Sequence, residues 1–168
     1  TAVCQGRSMI RRDIPTLADY FGDAGYRTIL SGKWHLGDSY PHRPQDRGFQ
    51  ETIHHRAWGI TSLADYWGNT YFDPVLNHNG EDKKFEGYCT DIITEQALEW
   101  LKNGRDTSKP FVLMAQHKAP HRNWQPGPKY LNKYDGITIP EPETLFDDYA
   151  GRGKPAKTQK MMVARDLN

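Results

Sequence analysis

The sequence contains the same order of elements twice: a predicted helix, a short apolar strand and then a cluster of Lys and His residues. In the first copy, a strand candidate at residues 26–30 precedes Lys33 and His35. In the second copy, an apolar run at residues 110–115 precedes a cluster at residues 116–122. Helices that alternate with strands are typical of α/β folds, in which ligands bind at the carboxyl ends of the strands. The two clusters are therefore expected to meet at one rim of one sheet.

Local signals define the two helices. Residues 13–16 combine a capping acid with a proline suited to a first turn, and Gly25 ends this predicted helix. A second helix is predicted at residues 90–103, with Thr90 or Asp91 as its cap. The predicted apolar faces are Leu17, Ala18 and Phe21 in the first helix and Ile93, Ala97, Trp100 and Leu101 in the second.

The apolar run at residues 110–115 is short, continuous and bounded by polar turns, which predicts a buried strand of a parallel sheet. Residues 38–87 are predicted to be mostly loop, with a turn at residues 78–80. Arg43 and Arg47 in this segment could bind an anion or brace their loop through local ion pairs. Its aromatic side chains could stack on sugar rings or pack the loops; they are Trp58, Tyr66, Trp67, Tyr71 and Phe72.

Composition excludes several classes of protein. The 168 residues fit one domain or a piece of a larger one, and the net charge of +1 argues against nucleic acid or an anionic membrane as a partner. No apolar run is long enough to span a bilayer. Cys4 and Cys89 lie far apart, and the adjacent His54 and His55 have no partner at ligand spacing. The sequence therefore predicts no metal site in this chain.

The segment Ser31-Gly32-Lys33-Trp34-His35-Leu36-Gly37 carries the first candidate site. Lys33 and His35 are two residues apart and leave the predicted strand on the same side, between glycines that let a substrate approach. A cation and an imidazole suit an anionic group whose ester bond must break. The alternative is an ordinary solvated strand end, which the spacing alone favours because short motifs have many false positives.

These residues carry a resemblance to a known family. The run Gly32-Lys33-Trp34-His35-Leu36-Gly37, after residues 15–18 and 24–28, resembles the second signature of the type I sulfatases of the alkaline-phosphatase-like superfamily. The strand at residues 111–115 followed by Ala119-Pro120-His121 is similar to the later family segment that carries another active-site histidine. The resemblance implies an α/β fold, an alkaline-phosphatase-like sandwich with a mostly parallel central sheet, of which only part is present.

The resemblance also implies roles for single residues. Lys33 would bind the sulfate oxygens and the geminal hydroxyl of the nucleophile, and His35 would accept a proton from that geminal diol. His121 would contact the sulfate and protonate the leaving alcohol. Preorganised cations would stabilise the charge that develops on the sulfate and on the departing alkoxide. Substrate contacts are expected from Lys118, His117 and Arg122.

The chain departs from the family pattern in two respects. The family nucleophile is a formylglycine made from a cysteine in a Cys-x-Pro/Ala-x-Arg pattern, but Cys4 is followed by Gln5-Gly6-Arg7-Ser8, so we interpret Cys4 as a loop cysteine. The family also binds Ca²⁺ through two acidic residues near its N-terminus and a later Asp-Asn or Asp-His pair. Asp147-Asp148 matches neither segment and is interpreted as a charged surface turn, so the ligands are expected outside this chain. Residues 1–168 are thus predicted to be the central portion of a sulfatase catalytic domain, inactive on its own.

The predicted function is hydrolysis of a sulfuric ester in a sulfated carbohydrate or an aryl sulfate. Residues 116–124 and 140–149 resemble sulfatases that act on sulfated glycans, including glucosamine-6-sulfatase-like members, and residues 38–49 resemble bacterial arylsulfatases. Two alternatives are a phosphate mono- or diester hydrolase of the same superfamily and a non-catalytic protein that binds sulfated glycans. By family habit, the location would be periplasmic, secreted or lysosomal.

Overall fold

The computed structural model describes residues 10–37, 39–55, 71–121, 124–159 and 163. The chain forms two compact units, Thr1–Pro128 and Lys129–Asn168. The first unit contains the sheet and the helices Leu17–Asp23 and Cys89–Glu99, and it carries the residues predicted to act on substrate. Among the described residues, no helix is both long and apolar enough to cross a membrane.

A five-stranded mixed sheet forms the centre of the first unit. Its spatial order is β4-β3-β2-β1-β5, with β1 parallel to both β2 and β5, and with β3 antiparallel to β2 and β4. The strands are β1 (Arg27–Gly32), β2 (Glu51–His55), β3 (Val75–His78), β4 (Glu81–Lys84) and β5 (Phe111–Gln116). The predicted α/β class and parallel central strands are confirmed, and an antiparallel hairpin extends the sheet on one side.

Helix α1 (Leu17–Asp23) begins at a cap that differs from the predicted one. Thr16, rather than Asp13, is the N-cap: its side chain accepts from the Asp19 N–H, and the Asp19 carboxylate accepts from the Thr16 N–H at 2.7 Å. This reciprocal capping box satisfies two amide donors at the helix start. Ala18 is buried as predicted, whereas Leu17 is 56% exposed and does not belong to the apolar face.

Helix α2 (Cys89–Glu99) continues into a π-helical turn, Trp100–Gly104. Neither predicted capping residue begins it, since Tyr88 is the N-cap and makes no side-chain capping bond. The predicted buried face is confirmed at three positions, which are Ile93, Ala97 and Trp100. Hydrogen bonds fix the middle of the helix and the turn after it to the sheet, because Ser31 Oγ donates to the Ile93 carbonyl at 3.0 Å and Trp100 Nε1 donates to the Glu51 carboxylate at 2.9 Å.

The two helices cover opposite faces of the sheet. Leu30 packs with Ala18 and Phe49 on the α1 side, whereas the next residue, Ser31, points to α2. Neighbouring residues of a strand face opposite sides, so this alternation assigns each helix to its own layer. A second buried cluster on the α2 side consists of Ile53, Leu76 and Ile92. The described part of the first unit is therefore a helix–sheet–helix sandwich.

The prediction of a mostly looped segment at residues 38–87 is wrong for three strands. Strands β2, β3 and β4 lie within it, whereas residues 39–50 form no strand and the predicted turn at residues 78–80 is confirmed. Asn79 and Gly80 have φ values of 50° and 99°, the left-handed conformation that a tight hairpin turn requires. The apolar pattern of β2 was hidden because it contains two histidines, and β4 is fully exposed and has the sequence Glu-Asp-Lys-Lys.

Strand β5 is parallel to β1, as predicted, but it is not buried. Phe111 is 38% exposed, and the central residues of the strand are only partly covered. Among the described residues, β5 pairs only with β1 and forms one edge of the sheet. The prediction of burial was wrong because an apolar strand is buried only where other elements cover its faces.

Candidate active site

The carboxyl ends of three neighbouring parallel strands meet at one rim of the sheet. Gly32, the last residue of β1, is paired with His54 of β2 on one side and with Gln116 of β5 on the other. Lys33, His55 and His117 follow directly at the same level. The Lys33 N–H donates to the Gln116 carbonyl at 2.6 Å, which joins the two predicted clusters. The expected convergence of the two clusters is thus present in the structure.

Gly32 is required for this close approach. Its φ of 117° lies in a region that other residues rarely adopt, and a Cβ atom here would be 1.9 Å from the Gln116 carbonyl oxygen. A side chain at this position would separate β1 from β5 just where the rim begins. The glycine before Lys33 is therefore explained by packing of the strand ends.

Lys33 lies half-buried at this rim, close to the second cationic loop. Burial lowers the pKa of the Lys33 ammonium, and the positive charge of Lys118 lowers it further. Two cations that repel each other in a partly desolvated position create a site with positive potential. An anion bound between them would relieve that repulsion, so the electrostatics favour a sulfate or a similar oxyanion.

The segment between Lys33 and His35 is anchored by the intervening tryptophan. Trp34 Nε1 donates to the His42 carbonyl at 2.8 Å, and its ring packs edge-on against Phe49 at 5.7 Å between centroids. His35 has a φ of 65°, an uncommon conformation for a residue other than glycine. Such strained backbone often occurs at functional sites, and here it re-aims the chain after Lys33.

The second loop is held over Tyr71. The Lys118 ammonium lies 4.6 Å from the centre of the Tyr71 ring, and the Tyr71 hydroxyl donates to the His121 carbonyl. The His121 N–H in turn donates to the Lys118 carbonyl at 3.0 Å, around a cis peptide bond between Ala119 and Pro120. Lys118 and His121 therefore belong to one compact turn at the rim.

His55 is a member of this site that the sequence analysis did not select. It is 3% exposed at the end of β2, and its Nε2 lies 3.2 Å from the Cys89 sulfur. Burial, followed by the charges of Lys118, His54 and Lys33, lowers the His55 pKa to about 3, so the imidazole is neutral. Burial raises the Cys89 pKa to about 12, so the thiol is also neutral. Recognising β2 as a strand would have placed His55 at the rim.

The other predicted site residues have different outcomes. His117 is half-buried beside Lys33, and its Nδ1 has no hydrogen-bond partner in the part of the chain that the structure describes. Arg122 and Cys4 lie outside the described residues, as do Trp58, Tyr66 and Trp67. Trp124 has a side chain that is exposed, at 58% for the residue, and its backbone N–H donates to the His121 carbonyl at 3.2 Å.

The two arginines of the loop after Lys33 are engaged locally. Arg43 makes a two-pronged ion pair with Asp46, with both N–O distances at 2.8 Å. Arg47 is buried and donates to the carbonyls of Arg12 and Ile14. Of the two alternatives for these arginines, bracing of the loop is the one that the structure supports.

The described residues do not fit a metal ion. They contain no group of three or more His, Cys, Asp or Glu side chains that could hold one. The rim is also cationic, whereas Ca²⁺ requires oxygen ligands with negative charge. A cavity of about 260 Å³ lies elsewhere, between the C-terminal end of α2 and the sheet, and none of the predicted site residues lines it.

The fold and the rim define an α/β protein with a cationic rim at the carboxyl ends of its parallel strands. A family model described as Sulfatase matches residues 4–157. The chain belongs to the sulfatase family, and its partial sheet has the alkaline-phosphatase-like fold. Members of this family generally use a metal ion.

Several characterised relatives are similar to this chain. It is 40% identical over 160 residues to an N-acetylglucosamine-6-O-sulfatase of Bacteroides thetaiotaomicron, covering 95% of this chain and 26% of the relative. It is 28% identical over 128 residues to an arylsulfatase of Klebsiella aerogenes, covering 73% of this chain and 27% of the relative. The solved structure of BT4656 in complex with D-glucosamine-2-N,6-O-disulfate matches with a TM-score of 0.74 and 40% identity, over 97% of this chain and 30% of that one. The chain thus spans about a quarter to a third of the length of these relatives.

Proposed function

We propose that this chain is the central portion of a sulfatase that releases sulfate from a sulfated carbohydrate, with a glucosamine 6-sulfate as the favoured substrate. The observation that carries this proposal is the cationic rim formed by Lys33 and Lys118 in a chain that is 40% identical to an N-acetylglucosamine-6-O-sulfatase. The similar structure of BT4656 holds a glucosamine that is sulfated at its 6-O position. An aryl sulfate is the second substrate class, supported by the similarity to an arylsulfatase.

Each rim residue has a role in the proposed reaction. Lys33 and Lys118 bind the sulfate oxygens and stabilise the negative charge that grows on them as the ester bond breaks. His121 donates a proton to the leaving alcohol, and His35 accepts a proton when the sulfated enzyme breaks down. His117 and Arg122 contact the substrate. We propose that the nucleophile, the Ca²⁺ ion and its ligands lie outside the described residues.

The test uses the protein expressed from the complete reading frame that contains these residues, here called the full-frame protein. It is assayed for sulfate release from glucosamine 6-sulfate and from 4-methylumbelliferyl sulfate, with 4-methylumbelliferyl phosphate as the matched control. We expect release from the sulfated sugar and little hydrolysis of the phosphate ester. Preferential phosphate release would assign the site to a different esterase of this superfamily. Binding of the sulfated sugar without release of either anion would leave only a glycan-binding role.

The proposed partner is the sulfated carbohydrate itself, and the proposed location rests on a relative. One relative, from Caenorhabditis elegans, is described as a putative extracellular sulfatase. We therefore propose a periplasmic, secreted or lysosomal location. Fractionation of the source cells, followed by detection of the full-frame protein with an antibody, tests this proposal.

A further inference from the structure

Tyr71 is a buried tyrosine that contacts two residues of the proposed site. Only 2% of its surface is exposed. Its ring faces the Lys118 ammonium at 4.6 Å, and its hydroxyl donates to the His121 carbonyl. One side chain therefore contacts both the cation and the backbone of the proposed general acid.

The position of Tyr71 is fixed from the side opposite the loop. Its carbonyl accepts from the Cys89 N–H at 2.8 Å, at the first residue of α2, and its ring stacks on Tyr88 with centroids 6.2 Å apart. Burial, with Tyr88 and Cys89 nearby, raises the Tyr71 pKa, so the phenol remains a donor over the usual pH range. The backbone of Tyr71 is thus bonded to the first residue of α2, and this helix is itself bonded to β1 through Ile93.

We propose that Tyr71 is a positioning residue that holds Lys118 and His121 as one unit at the rim. The ring attracts the Lys118 ammonium through its π face, which restricts a long and flexible side chain. The hydroxyl, together with the backbone N–H of Trp124, fixes the peptide plane of His121 and hence the origin of its imidazole. This inference rests on the proposed function, because it assigns Lys118 to sulfate binding and His121 to protonation of the leaving group.

Tyr71→Phe separates the two contacts, since it removes the hydroxyl and keeps the ring under Lys118. In the full-frame protein, we expect kcat on glucosamine 6-sulfate to fall about tenfold or more, because a small displacement of a catalytic group is costly. The KM should remain within about twofold of the original value, because the ring under Lys118 remains. Hydrolysis of 4-methylumbelliferyl sulfate should fall less, because its leaving group needs less protonation.

Tyr71→Leu removes both contacts and should also weaken binding of inorganic sulfate, measured by isothermal titration calorimetry, by about fivefold or more. Tyr88→Phe is the matched control. The Tyr88 hydroxyl donates to the Gln125 carbonyl at 2.9 Å, and in the described contacts Tyr88 touches neither Lys118 nor His121. This control should keep both kcat and sulfate affinity. Thermal unfolding of all three variants shows whether a lower rate or affinity comes from unfolding or from displacement of Lys118 and His121 in a folded protein.

The outcomes are distinguishable from failure of the proposed function. If Tyr71→Phe retains the original kcat on the sugar sulfate, or if both substrates lose rate equally with a lower melting temperature, Tyr71 is only structural. If the unmodified protein releases no sulfate, the proposed function fails. The affinity for inorganic sulfate then tests separately whether Tyr71 positions Lys118. If Tyr71→Leu binds sulfate as tightly as the unmodified protein, the proposal that Tyr71 positions Lys118 is overturned. If Tyr71→Leu binds sulfate more weakly than Tyr88→Phe does, the proposal is upheld.

Discussion

In the proposed reaction, Lys33 and His121 have different roles in cleavage of the ester at one rim. Burial and the charge of Lys118 both disfavour the positive charge of Lys33, so a bound anion would stabilise the charged form of this lysine. His121 lies in a turn closed by its own N–H bond to the Lys118 carbonyl. The first residue is suited to the growing charge on sulfate and the second to the leaving alcohol.

Replacing Lys33 should remove stabilisation of the transition state. In the full-frame protein, we expect Lys33→Ala to lower kcat/KM about a hundredfold or more, the typical cost of losing a preorganised charge-stabilising group. Lys83→Ala, on the exposed strand β4, is the control and should be neutral. Steady-state sulfate release measures both variants, with circular dichroism to check the fold. An unchanged rate in Lys33→Ala would exclude the assigned role.

Replacing His121 should have an effect that depends on the leaving group. Because a general acid contributes most when the departing alkoxide is poor, we expect His121→Ala to lower the rate on glucosamine 6-sulfate about a hundredfold or more. The rate on 4-methylumbelliferyl sulfate should fall much less. The ratio of the two rates is the measurement. Equal losses on both substrates would show that His121 binds sulfate without protonating the leaving group.

His55 should make stability sensitive to acid. Its pKa is about 3 in the folded protein and near 6.5 when unfolded, so the unfolded state binds more protons between these values. The contribution of His55 to the free energy of unfolding is therefore fully present above about pH 6.5 and is lost as the pH falls toward 3. We expect His55→Gln to unfold at lower pH than the original protein in an acid titration followed by fluorescence. His78→Gln, at a less buried histidine, is the control and should shift the midpoint less.

At the scale of elements, the sequence predicted those whose local signals agreed with their packing. Helix α2, the hairpin turn at Asn79 and Gly80 and the strands β1 and β5 were predictable because periodicity, turn chemistry and apolar runs are local properties. The direct pairing of β1 with β5 is a long-range contact, and the sequence predicted only that both strands end at one rim of one sheet. Strand β2 was not, because its two histidines are buried by contacts such as the 3.2 Å approach of Cys89 to His55. Tyr71 was likewise ambiguous between sugar stacking and packing until the loop over it was known.

Gly32 connects the elements at the rim, and its replacement tests their packing. Gly32→Ala would put a Cβ atom 1.9 Å from the Gln116 carbonyl oxygen at a φ of 117°. We expect a loss of more than about 3 kcal/mol in the free energy of unfolding, since strain and a backbone clash act together. Gly25→Ala is the matched control, because its φ is 86° with no atom within 4 Å, and should cost about 1 kcal/mol. Urea denaturation measures both, and equal losses would contradict the clash.

At the scale of the whole molecule, the two edges of the sheet differ. Strand β4 is fully exposed and charged along its length, which discourages pairing with another chain. Strand β5 has an apolar sequence with partly covered side chains, and the described residues place no strand beyond it. Of the two edges, β5 is therefore the one at which we expect these 168 residues alone to associate.

This asymmetry predicts that residues 1–168, expressed alone, self-associate through β5. Leu113 and Val112 lie at the centre of the strand, are half-covered and point to opposite faces, so a lysine at position 113 would charge the edge without opening the α1 core. We expect sedimentation velocity to show oligomers of the unmodified chain and a shift toward monomer in Leu113→Lys. Asp82→Lys on β4 is the control and should leave association unchanged. A monomeric unmodified chain would show that the edge at β5 is protected by residues of this chain itself, because an uncovered apolar edge associates.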